Sequence, residues 1–75
     1  MSSKTELEAQ LSFVSFCIEE YKIHHRMSGT AVALLFKKYG VIDYLMDHFE
    51  LLHSFGRNSI LSDIDDFIAE RKQQK

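Results

Sequence analysis

The chain has 75 residues, a net charge of −2 with histidine neutral, 45% apolar and 27% charged residues, no proline, three glycines and one cysteine. That length holds one small domain, the charge gives no general attraction for a polyanion, and Cys17 alone excludes an internal disulfide framework and suits a reducing compartment. No apolar run approaches about 18 residues and the start, MSSKTELEAQ, is polar, so neither a spanning helix nor a signal peptide is expected and the setting reads as cytoplasmic.

The first predicted helix starts at Thr5, where TELE has the form of a capping box, with Glu8 three residues on. Leu7, Leu11, Val14, Ile18 and Tyr21 recur at helical spacing, and Phe13 and Cys17 widen that stripe. Phe16 and Ile23 lie seven residues apart on nearly the opposite side, with Ala9 seven before. Either this helix runs through the middle of a bundle, or its second face meets another molecule.

HHRMSGT breaks the pattern. Ser28 is a good cap for a second helix, Gly29–Tyr39, whose inner side carries Val32, Leu35, Phe36 and Tyr39. Lys37 and Lys38 suit its negative end, and Gly40 occupies the position that favours positive φ. A third helix is expected from Val41 to Ser54, ending near Gly56. Asp43, Asp47, Glu50 and Ser54 form its polar strip, and Val41, Leu45, His48, Leu52 and Phe55 its buried one. A fourth, from Ser59 or Ser62 to Arg71, has Ile60, Leu61, Ile64, Phe67 and Ile68 on one face. Asp63, Asp65 and Asp66 then fall near its start, where negative charge is favourable. The fold class is all-α, a compact bundle of four short helices with an ordered core over about residues 5–71. The tails, Met1–Lys4 and Lys72–Lys75, are expected to fray.

The second and third helices have the outline of a helix-turn-helix. From Val41 to Phe55, however, there is no Lys, Arg, Asn or Gln to read bases, and the exposed strip is acidic. Nucleic acid is therefore disfavoured as a partner. Cys17, His24, His25, His48, His53 and the aspartates are the available metal ligands, but no CxxC, HxxxH or HExxH spacing occurs. His48 and His53, five apart on one helix, point about 140° from each other. His48 is expected to be buried or half-buried. Cys17 on an apolar stripe reads as an inert thiol, and no phosphate-binding loop is present. Neither cofactor nor metal is expected, and the chain reads as a non-enzyme. The polar helix faces are acidic rather than basic, which argues against a membrane-surface helix.

Four stretches carry a resemblance: FVSFCIEEYK (Phe13–Lys22), SGTAVALLFKKYGVIDYL (Ser28–Leu45), LLHSFG (Leu51–Gly56) and DIDDFI (Asp63–Ile68). Together they resemble a family of short bacterial helical proteins known only as a domain of unknown function, over about Phe13 to Arg71. The resemblance implies a small helical bacterial protein, some relatives being encoded beside proteins that resemble ADP-ribosyltransferases, which suits a partner or antitoxin-like role. It carries no catalytic residues. Tyr39, Gly40, Asp43, Tyr44, His53, Gly56, Asp63 and Asp65 match its motif positions. Architectural roles serve these: turns at Gly40 and Gly56, packing by Tyr39 and Tyr44, capping by Asp63 and Asp65.

The resulting expectation is a non-catalytic protein-interaction module. Its partner is another protein or a second copy, met through Phe16, Ile23 and Met27. The alternatives are a nucleic-acid-binding regulator using Lys22–Arg26 and Lys37–Lys38, and a small metal or ligand sensor through His48 or His53. His53 is expected to tie the end of the third helix to the start of the fourth, near Asp63 or Asp65.

Overall fold

The computed structural model describes residues 2–73, with side chains from Glu6 onward. It is an all-α bundle: α1 (Ser2–His25), α2 (Gly29–Tyr39), α3 (Val41–Asp47), α4 (Phe49–Leu52) and α5 (Arg57–Gln73). Residues 2–4, 72 and 73, expected to fray, are helical at the ends of α1 and α5; the same expectation for residues 1, 74 and 75 lies outside the described residues.

Helix α1 is the centre of the bundle and packs against α2, α3 and α5. Its 24 residues span about 36 Å, which sets the long dimension of the 40 × 26 × 22 Å molecule. It begins at Ser2, so Thr5 lies inside the helix and not at a capping box. The stripe read from the sequence is buried only in its later part. Phe13, Val14, Cys17 and Tyr21 enter the core, whereas Leu7 and Leu11 are exposed.

Arg26 ends α1 in the left-handed region, with φ 55. The Met27 N–H reaches the Lys22 carbonyl at 3.0 Å and the Arg26 N–H the Ile23 carbonyl at 3.4 Å. This is a Schellman closure built on a non-glycine residue. Helix α2 is capped at both ends by local chemistry. Ser28 Oγ accepts from the Ala31 N–H at 3.1 Å, and Gly40 adopts φ 72. Gly40 then serves a second helix, since its carbonyl accepts from the Tyr44 N–H at 3.1 Å. One residue thus turns the chain between α2 and α3.

The expected single helix from Val41 to Ser54 is broken at His48, which sits at φ −111, ψ 26. The backbone ladder passes from Tyr44 O–His48 N directly to His48 O–Leu52 N. Between them the Met46 carbonyl accepts instead from Gln10 Nε2 of α1 at 3.2 Å. Entry of a side chain into the ladder is a recognised cause of a helix kink. No proline or glycine marks the spot.

Helix α5 starts at Arg57, earlier than either expected start, with the Gly56 carbonyl accepting from the Ile60 N–H at 3.0 Å. Ile60, Leu61, Ile64 and Ile68 bury one face against the core residues Val32, Phe36, Val41, Leu45 and Leu52. Edge-on aromatic pairs, Phe13–Phe49 at 5.5 Å and Tyr21–Phe36 at 5.2 Å, tie α1 to α4 and α2. The early start moves the acidic run away from the helix dipole. Asp63, Asp65 and Asp66 sit two turns in, so helix-start stabilisation and capping do not explain them.

Candidate functional site

Two features of the surface are candidates for a functional site. One is an apolar strip on α1. Phe16 is 40% exposed and Ile23 66% exposed, and Ala9 is also exposed. Their seven-residue spacing keeps them within about 20° per step on one side of the helix and spans about 21 Å. Ser12 and Glu19 fill the positions between, so the strip is narrow. Met27, grouped with Phe16 and Ile23 from the sequence, is half-buried and packs against the core. It belongs to the closure of α1, not to the strip.

The other is a polar cluster between the end of α1 and the middle of α5. Asp65 accepts from His25 Nε2, with its two oxygens at 3.1 and 3.3 Å. A carboxylate only accepts, so the proton lies on Nε2. The Tyr21 ring lies 4.2 Å from the His25 ring. Burial raises the Tyr21 pKa, and a hydrogen bond to Asp65 and its charge raise it further. His24 stands edge-on to His25 at 4.8 Å. One ligand atom from each of His24, His25 and Asp65 lies within 4.8 Å of the others. Among the described residues this is the one group of three or more such side chains with that proximity.

The cluster was not visible in the histidine spacing, because two of its members are adjacent and the third is forty residues away. Adjacent helical residues do not share a face, so HH at a helix end carries little signal until α5 crosses it. Asp65 is placed there by its neighbours Ile64 and Ile68, which fix α5 against the core.

The other two histidines stand elsewhere. His48 is exposed, not buried, because the break at that residue takes it off the stripe that Val41, Leu45 and Leu52 bury. His53 is also exposed. Its Nδ1 bonds the Phe49 carbonyl one turn back at 2.7 Å, and its ring stacks on Phe49 at 4.5 Å. It does not tie α4 to the acidic run. Tyr44 and His25 make those ties, to Asp63 and Asp65 respectively.

Of the remaining motif positions, Tyr39 is half-buried against the core with Lys38 Nζ 5.4 Å from its ring centroid, and Asp43 lies exposed in the first turn of α3. Gly56 immediately precedes α5. Lys22 of the basic segment pairs with Glu19 at 3.2 Å, and Arg57 with Glu20 at 3.0 Å. Cys17 is fully buried and burial pushes its thiol up to about 12, which leaves it protonated and unreactive at neutral pH. No helix among the described residues is long and apolar enough to cross a membrane.

Comparison with curated proteins and with solved structures finds no match. A family model described as "Protein of unknown function (DUF3791)" matches residues 12–71, from the residue before Phe13 to Arg71, and so spans the core part of α1, the Gly40 corner, the broken α3–α4 segment and most of α5. The chain belongs to that family, DUF3791.

Proposed function

We propose that the protein is a non-catalytic interaction module of the cytoplasm that pairs with a second copy of itself through α1. The observation that carries this reading is the exposed Ala9–Phe16–Ile23 line on the central helix, on the side turned away from the core. Exposed apolar side chains aligned on one helix face are the usual mark of a helix that meets another helix.

The order of residues favours a second copy in antiparallel orientation. With Phe16 against Phe16, the small Ala9 of one helix meets the large Ile23 of the other. The same register sets Lys22 of one copy near Glu8 of its mate, and symmetry makes that contact twice. A strip about 21 Å long gives a contact at the small end for stable complexes, so the pairing is weak and concentration-dependent.

The test is sedimentation of the wild type and of Phe16→Asp across a concentration series. Association of the wild type and a folded monomer for the variant support the pairing. A monomeric wild type at every concentration excludes it.

A further inference from the structure

We propose that His24, His25 and Asp65 form a binding site for a divalent d-block cation, of which Zn²⁺ is the chemical type. Two imidazoles and a carboxylate are a nitrogen-rich, borderline ligand set. That set selects zinc, nickel or copper over the hard ions magnesium and calcium, which require oxygen ligands.

The geometry needs only a small contraction. Four ligands around zinc, at bond lengths of about 2.0–2.1 Å, stand about 3.4 Å from one another. His25 Nε2 and Asp65 Oδ1 are already 3.1 Å apart. The largest separation in the group is within 4.8 Å, and His24 is an exposed residue of the last turn of α1. Its ring closes the remaining gap by side-chain rotation alone. The ion then takes the place of the proton between His25 and Asp65: the neutral His25 imidazole shifts to its other tautomer, with its proton on Nδ1 and the Nε2 lone pair on the ion. Solvent completes the coordination from the groove that His24 and Asp65 share with Asn58, Ser62 and Asp66.

The surroundings of Asp65 are those of a held ligand. The Asp65 carboxylate lies close enough to the phenol of the buried Tyr21 for its charge to raise that group's pKa, and a polar neighbour of this kind helps to orient a ligating carboxylate. The two histidines and the aspartate come from different helices, so a bound ion links the end of α1 to the middle of α5. Binding therefore favours the folded state. Protonation of either imidazole competes with the ion, so binding weakens on acidification. None of this depends on the pairing of α1.

The experiment is a competition titration of Zn²⁺ between the full chain, made without a histidine tag, and a chromophoric chelator. His24→Ala, Asp65→Asn and the control His53→Ala are run beside the wild type. The proposal expects saturation at one Zn²⁺ per chain. It expects affinity to fall at least tenfold in His24→Ala and Asp65→Asn and to stay unchanged in His53→Ala. A rise in Tm with Zn²⁺ should appear in the wild type and vanish in His24→Ala. His24 is exposed, so its loss leaves the fold intact, and that variant alone decides the matter. Failure of the wild type to saturate at one ion per chain, or equal affinity in His24→Ala, overturns the site.

Discussion

The Tyr44 hydroxyl donates a 2.7 Å hydrogen bond to Asp63, across the junction between α3 and α5. The Tyr44 ring also stacks on Phe67 at 4.2 Å, four residues further along α5. One side chain thus holds the short, broken α3–α4 segment to the last helix by both polar and apolar contact. Tyr44→Phe keeps the stack and removes the bond. It should lower stability by about 1 kcal/mol, measured by urea denaturation.

The same contact gives the protein an alkaline limit. Burial, then the bond to Asp63 and its charge, push the Tyr44 phenol from 10 up to about 12. Between these pH values the unfolded chain has released a proton that the folded chain still holds. Stability is therefore complete below about pH 10 and falls as pH rises toward 12. Tyr21 shifts in the same direction. Denaturation midpoints taken from pH 8 to pH 12 should show this decline, and Tyr44→Phe should make it shallower.

Backbone conformation separates three turn positions. Gly40 has φ 72 and open space where a Cβ would stand, so Gly40→Ala should cost about 1 kcal/mol through left-handed strain alone. Gly56 has no positive φ and equally open space, so Gly56→Ala should be neutral or slightly stabilising. Arg26 bears the left-handed strain that glycine avoids, and Arg26→Gly should stabilise by up to about 1 kcal/mol. Thermal denaturation of the three variants should rank Tm in the order Arg26→Gly, Gly56→Ala, Gly40→Ala. A destabilised Arg26→Gly would show that the guanidinium has a stabilising contact.

These local devices were the legible part of the sequence. Ser28 and Gly40 act on their own neighbours, so their chemistry can be read in place, and the apolar faces of α2 and α5 follow from spacing. The break at His48 was not legible because Gln10, thirty-six residues away, takes over the Met46 carbonyl. The exposure of His48 follows from that break. The acidic run was misread for a related reason. Its distance from the true start of α5 removes the dipole argument, and its partners Tyr44 and His25 lie on other helices. The surplus apolar side of α1 was legible as a pattern in Phe16 and Ile23. Met27 was not separable from it until the chain reversal at Arg26 turned that side chain toward the core.

Cys17 supplies a probe of the fold itself. It is fully buried, and that burial pushes its thiol up to about 12. Iodoacetamide at pH 8 should leave the native protein unmodified and label it fully in denaturant. Rapid labelling of the native chain would mean that α1 leaves the core far more often than its packing implies.

The antiparallel register of the α1 pair predicts a charge-swap result. Lys22→Glu sets like charges near each other at two symmetric contacts and should weaken association by about two- to tenfold. Lys22 also loses its internal pairing with Glu19, so the comparison is made on folded protein by far-UV circular dichroism. Adding Glu8→Lys to Lys22→Glu should restore association. Failure of the double variant to recover points to a different register.

The central claim is that the Phe16–Ile23 side of α1 is a contact surface between two copies. Sedimentation velocity over a wide concentration range tests it most directly. The wild type should move from monomer toward dimer as concentration rises, while Phe16→Asp and Ile23→Asp remain folded monomers. A wild type that stays monomeric throughout, or a Phe16→Asp variant that associates as the wild type does, contradicts the account.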